Sequence, residues 1–137
     1  MESDEVMIQV YDKREKITLS FYVKKLSNNI YRMEENSVCY FTLTYGTEFE
    51  TRLNKESVLE VVRILRKSTF ITRRFSLNVP FKESELRVLG DEIMKIGGFW
   101  QVDFGSMATI NLPKDASIDI DEIFRIFNFT PTEIFDE

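Results

Sequence analysis

The chain has 137 residues, 43% of them hydrophobic and 30% charged, with a formal net charge of −5. That is about one domain's worth of sequence with a globular composition, able to bury roughly 68% of its unfolded surface without a staple. The acidic balance opposes a general nucleic-acid binder, and the absence of histidine removes Ser-His-Asp and Cys-His nucleophiles and His-based metal sites.

Residues 1–14 are charged at both ends around an apolar centre, Val6 to Val10, and read as a lead-in or an extra edge strand. MESDEVMIQV lacks the basic-then-apolar pattern of a signal peptide, and no apolar run approaches the roughly 18 residues of a membrane span. A cytosolic protein with no membrane partner is expected. Ile17, Leu19, Phe21 and Val23 alternate with Thr18, Ser20, Tyr22 and Lys24, as in a half-buried strand. Ser27-Asn28-Asn29 is a turn, Ile30 to Met33 a short strand, and Glu34-Glu35-Asn36 a loop. Val38 to Tyr45 reads as a strand or tight extended segment ending at Gly46. Cys39 lies in it and cannot form an internal disulfide, so a buried thiol in a reducing compartment is expected. Phe49, Thr51 and Leu53 alternate with Glu48, Glu50 and Arg52 in the next strand.

Residues 55–66 admit two readings. Val58, Val61, Val62 and Leu65 have helical spacing with Asn54 as a candidate cap; the β-branched content favours strand. Strand is the reading taken.

The stretch from Arg73 to Pro113 has the clearest two-faced patterns. Ile71, Phe75, Leu77 and Val79 share one side of a strand, with Arg73 the exception; Thr72, Arg74, Ser76 and Asn78 share the other. After Pro80, the stripe Leu86, Leu89, Ile93 and Ile96, with Met94 beside it, predicts an amphipathic helix with Ser84 as a candidate N-cap. Gly97-Gly98 is its stop, and Gly90 implies close packing on the sheet. In the following hairpin, a two-residue turn at Gly105-Ser106 would mix apolar and polar residues on each face. A three-residue loop, Gly105-Ser106-Met107, pairs Phe104 with Ala108, Val102 with Ile110 and Trp100 with Leu112. One face is then apolar, and Gln101, Asp103, Thr109 and Asn111 share the other, so burial selects this register.

Asp119 is a candidate N-cap with Glu122 as its capping-box partner, ahead of the apolar face Ile120, Ile123, Phe124 and Phe127. Thr130 to Phe135 is a final short strand. The fold class is α+β: an N-terminal antiparallel β-meander or small barrel, then a ferredoxin-like β-α-β-β-α-β unit. The expected organisation is one compact unit, 1–137, with a β-rich subdomain at 15–67 and the ferredoxin-like one at 68–137.

YFTLTYGTEFETR, VLEVVRILRKSTFITRRFSL and GGFWQVDFGSMATINLPKD together resemble the bacterial domain-of-unknown-function family 4265. Its members are small cytosolic proteins with a "YGD" turn, a strand pair and a Gly-rich hairpin ending in an apolar-apolar-Pro step. The likeness runs from about Tyr31 to Phe127. The turn here is Tyr45-Gly46-Thr47, so no role for the acidic residue carries over. The resemblance implies the α+β layout and a strand over 57–66; it implies no activity.

The residues narrow the chemistry further. One cysteine excludes thiolate metal clusters, and neither GxxxxGK[ST] nor GxGxxG occurs, so no cofactor is expected. Asp119, Asp121 and Glu122 cluster at a helix start, where capping accounts for them better than a cation cage. Asp103, with Arg74 across the sheet, is the other carboxylate candidate for acid-base work. Arg63, Arg66, Lys67, Arg73 and Arg74 form a basic stretch interleaved with Phe70 and Phe75, the arrangement of a nucleic-acid groove or of a guarded strand edge. The leading expectation is a non-catalytic protein-interaction module, with a protein partner or a second copy docking on Arg74, Ser76, Asn78, Gln101, Asp103, Thr109 and Asn111. A nucleic-acid binder and a carboxylate-based enzyme are the alternatives.

Overall fold

The period-2 patterns of the first half become five strands: β1 (Glu5–Asp12), β2 (Ile17–Ser27), β3 (Ile30–Met33), β4 (Glu48–Leu53) and β5 (Leu59–Arg66). The computed structural model describes residues 5–40, 42–77, 83–126 and 131–135. The chain divides into two compact units, Met1–Thr69 and Phe70–Glu137. The architecture is α+β and mostly antiparallel.

In the first unit, successive strands pair antiparallel, and β1 meets β5 in parallel at Val10 and Leu59, closing a barrel. Closure removes free edges. Residues 5–12, expected as a lead-in or an edge strand, are an integral wall of it. Val10, Phe21, Val23, Met33 and Phe49 fill the interior, as the alternation in β2 and β4 requires. Leu43 joins them from outside any strand. The expected strand over 38–45 is absent: its described residues form bends and turns tied by Ser37 N–H to the Leu43 carbonyl and Tyr40 N–H to Ser37 Oγ. Because that loop turns Leu43 inward, Cys39 falls on its outer side and is exposed, not buried.

Strand β5 resolves the ambiguity over 55–66. Asn54 does not cap a helix. Its Oδ1 accepts from Glu56 and Val58 N–H in a tight turn that also carries Ser57 at φ 62°.

The second unit runs β6 (Phe70–Ser76), α1 (Glu83–Lys95), β7 (Phe99–Asp103), β8 (Met107–Pro113), α2 (Ile120–Ile126), β9 (Thr132–Ile134). Its sheet is antiparallel with strand order β7-β8-β6-β9. Leu89 and Ile93 of α1, Ile120 and Phe124 of α2, and Phe75, Ile110 and Leu112 of the sheet form one core, with Phe75 and Phe124 edge-to-face at 5.0 Å. Trp100 packs against this core where α1 has no side chain: a Cβ on Gly90 would lie 2.9 Å from Trp100 Nε1. The helix-breaking residue thus leaves room for the indole.

Helix α1 stops as expected. Gly97 takes φ 84°, Gly98 N–H donates to the Ile93 carbonyl and Gly97 N–H to that of Met94, which is the Schellman pattern. Ile96 lies in this turn beyond the helix, so it is exposed together with Met94 rather than completing the buried stripe. Ser84 sits inside the first turn of α1, not before it. Asp119 Oδ1 accepts from Glu122 N–H as an N-cap, whereas the Glu122 carboxylate turns to Arg125. Expectations for Asn78, Val79, Pro80 and Phe127 lie outside the described residues. Among the described residues, no helix is long and apolar enough to cross a membrane.

Candidate interaction surface

The β7–β8 hairpin puts Trp100, Val102, Ala108 and Ile110 on one face and Gln101, Asp103, Thr109 and Asn111 on the other, where Phe99 and Met107 join them, but its register is two residues away from the expected one. Val102 pairs with Ala108, Trp100 with Ile110 and Gln101 with Thr109. The three-residue loop is Phe104-Gly105-Ser106, closed by Ser106 N–H on the Asp103 carbonyl. Phe104 therefore does not pair with Ala108, nor Val102 with Ile110, nor Trp100 with Leu112. A shift of two leaves every side chain on its face, which is why sorting by face could not detect it.

The polar face is not an open surface. Arg74 is 5% exposed, and Thr109 and Asn111 are 0% exposed. Strand β8 is interior, so Thr109 lies between Gln101 and Arg74, and Asn111 between Phe99 and Thr72. Arg74 Nη1 donates to Thr109 Oγ1 (3.3 Å), Asn111 Nδ2 to Thr72 Oγ1 (2.8 Å) and Gln101 Nε2 to Asp103 Oδ2 (2.8 Å). Arg74, Thr109 and Asn111 are thus corrected from docking residues to buried members of a hydrogen-bonded row. Ser76, Gln101 and Asp103 remain partly accessible.

The basic stretch is likewise divided. On β4 and β5, Arg63 Nε bonds Glu50 (2.7 Å), Arg66 stands 4.0 Å from Glu48, and Arg52 is paired in register with Glu60. This cross-strand alternation of sign neutralises the arginines within the barrel wall. Next to it, Asn54 Nδ2 and Lys13 Nζ both reach Glu60, and these contacts hold its carboxyl below the ordinary glutamate range. Lys67 is exposed. Arg73 and Arg74, adjacent in β6, project to opposite faces.

Arg73 explains its own misfit on the apolar side. Its guanidinium bonds Glu133 of β9 (2.8 and 3.0 Å) and Asp121 of α2 (3.0 Å), and lies 5.1 Å from the Phe75 ring centroid. It therefore fastens the edge strand and the second helix to the sheet. The Glu133 hydrogen bond, opposed by desolvation and aided by Asp121, raises its pKa. A raised basic pKa contributes stability at all pH values below the ordinary arginine value, lost only above it, so this contact is insensitive to alkali across the working range. Arg73→Ala is expected to cost about 2 kcal/mol in urea unfolding followed by Trp100 fluorescence, with Arg73→Lys recovering only part. A loss below about 0.5 kcal/mol would reduce the triad to surface decoration.

The carboxylate cluster separates into three local tasks: Asp119 caps, Asp121 meets Arg73 and Glu122 meets Arg125. Among the described residues, no group of three His, Cys, Asp or Glu is placed to hold a metal ion.

Among the outward residues of this region are several large apolar ones. Phe104, at the hairpin tip, is 84% exposed and holds a left-handed φ of 56°. Val102 beside it is 36% exposed, and Met94 and Ile96 are exposed at the end of α1. Among the described residues, strand β7 is an edge of the sheet. Sequence reasoning placed Phe104 in the strand core; its position after Asp103 and before Gly105-Ser106 is the turn signal that could have moved it.

No protein-family model matches the chain, and no curated protein is similar to it. A solved structure described as "Novel crystal structure of a hypothetical protein from Neisseria gonorrhoeae" is similar with a TM-score of 0.60, covering 98% of this chain and 94% of that one at 13% identity. At that identity the likeness is one of fold alone.

Proposed function

We propose that this chain is a non-catalytic protein-interaction module of an accessory, regulatory or immunity-like kind, acting in the cytosol. The observation that carries the reading is Phe104. A left-handed backbone is unfavourable for a bulky side chain by roughly 1–2 kcal/mol, and an exposed aromatic returns none of that to the fold. Strain held at an exposed apolar tip is the kind of local cost that binding repays. The β-α-β-β-α-β order and the strand order β7-β8-β6-β9 support a ferredoxin-like reading of the second unit. Kinship with family 4265 is proposed on the sequence segments alone. Nucleic-acid binding is disfavoured by the paired arginines of β5, and carboxylate catalysis by the separate engagement of Asp119, Asp121 and Glu122.

The test is affinity capture with the tagged full chain from native lysate, alongside Phe104→Asn. The expected result is a stoichiometric protein, foreign or a second copy, whose recovery falls with the variant. Asn takes the left-handed conformation readily, so the variant keeps its fold. Recovery of nothing, or equal recovery by both chains, would overturn the reading.

A further inference from the structure

We infer that the barrel of the first unit is gated: it opens and recloses at the joint between β1 and β5, with Glu60 as the latch and the buried carboxyl of Asp12 as the spring. That joint is the narrowest in the barrel. β2 pairs with β1 along the whole of β1, and β5 with β4 along the whole of β4, whereas β1 and β5 meet at Val10 and Leu59 alone among the described residues. The cause is stagger. β1 ends at Asp12, just past Val10, and β5 begins at Leu59, so the two strands separate almost as soon as they meet. Their pairing is also parallel, the less stable kind per residue.

One carboxylate ties the two turns beside this joint. Lys13 Nζ, just after β1, lies 3.1 Å from Glu60 Oε1, and Asn54 Nδ2, just after β4, donates to Glu60 Oε2 at 2.8 Å. Glu60 follows Leu59 directly, so both ties sit next to the single bridge, with Arg52 opposite Glu60 on the β4 side. The interior works against them. Asp12 shares the inward face of β1 with Val10 and is 4% exposed. Its Oδ1 accepts from Arg14 N–H (2.9 Å) and Glu15 N–H (3.4 Å), whereas its Oδ2 is buried with no hydrogen-bond partner among the described residues. A buried polar atom without a partner disfavours the state that contains it by about tenfold. Opening the joint returns that oxygen to water, and closing it strips the water away. The closed barrel therefore carries a cost where its ladder is thinnest, and the ion pair at the rim offsets part of it. Opposed terms of this kind set a local equilibrium between two states, and the open one bares Val10 and Leu59 of the barrel core.

Thiol labelling of the full chain reads the gate. In a Cys39→Ser background, Val10→Cys puts the reporter in the joint, and Met33→Cys puts it on β3, equally buried but away from the joint. Val10→Cys should label about tenfold faster than Met33→Cys or more in dilute buffer, with a rate that depends weakly on urea, since a local opening exposes little surface. Glu60→Gln keeps an acceptor for Asn54 and removes the ion pair, so it should speed labelling of Val10→Cys by about two- to fivefold. Lys13→Met should match it, and the double variant should add nothing further. Asp12→Ser keeps an oxygen for the turn N–H groups and deletes the buried one, so labelling should slow by about tenfold. A residue that only shaped the turn gives the opposite sign, because its loss would loosen the hairpin and speed labelling. Circular dichroism of each variant checks that it is folded. Equal labelling of Val10→Cys and Met33→Cys, labelling not slowed by Asp12→Ser, or no change with either Glu60→Gln or Lys13→Met would each overturn the inference.

Discussion

Gly98→Ala is expected to destabilise the C-terminal unit by roughly 3 kcal/mol, the upper end of overpacking costs. A Cβ there would lie 2.7 Å from the Asn111 carbonyl oxygen and 2.7 Å from Ile93 Cγ2. Asn111 belongs to the interior strand β8, whose backbone is held by β7 and β6, so it cannot withdraw without disturbing both ladders. Ile93 is fully buried in the same core. The adjacent Gly97→Ala makes a sharp comparison. Its surroundings are open, with Pro113 Cγ at 3.8 Å, but its φ of 84° penalises a side chain by about 1–2 kcal/mol. Gly97→Asn should restore much of that loss, and Gly98→Asn none of its own. Urea titrations monitored by Trp100 fluorescence separate the cases. Equal losses at the two positions would mean that helix termination alone, and not the approach of α1 to β8, dictates this turn.

Leu43→Ala should cost about 3 kcal/mol in the N-terminal unit, within the usual span for a buried leucine. The residue is fully buried although it belongs to no strand, and it packs with Val10, Phe21, Val23, Met33 and Phe49. Its loop is fixed from both ends. Met33 N–H donates to the Thr47 carbonyl, Gly46 N–H to the Met33 carbonyl, and Tyr45 N–H to buried Asn36 Oδ1. A side chain held this firmly leaves a cavity when truncated, because its neighbours have little freedom to collapse. Hydrogen exchange of the β1 and β2 amides is the direct readout. Leu43→Met should retain most of the protection and Cys39→Ser, on the exposed side of the same loop, all of it. If Leu43→Ala leaves exchange unchanged, the loop is an attachment to the barrel and not part of its core.

These two sites differ in how far the chain announces them. Gly97-Gly98 follows an apolar helical stripe, and a helix stop is legible there from residue type alone. That Gly98 also touches the Asn111 carbonyl belongs to the packing of α1 on β8 and has no local signature. Leu43 sits in an aromatic, β-branched run that reads as strand. Its conversion to a turn-rich plug depends on hydrogen bonds that Ser37 Oγ and Asn36 Oδ1 accept from Tyr40 and Tyr45 N–H, residues whose local preferences only permit it. The interaction surface divides in the same way. Polar and apolar residues of β6, β7 and β8 were assignable to faces, since alternation carries that information. Whether the polar face met water was not, because the burial of Thr109 and Asn111 depends on what packs over that face, which alternation does not record.

By itself, then, the sequence determined the α+β layout, the strand faces, the helix stop and the exclusion of histidine and multi-thiol chemistry, all of which rest on residue type and short-range period. Tertiary structure alone decided the exposure of Cys39, the burial of Arg74 and the joining of Arg73 to Asp121 and Glu133. Each of those depends on which distant segment arrives beside a residue. A pattern of period two or 3.6 records the direction of a side chain, and carries no record of its neighbour.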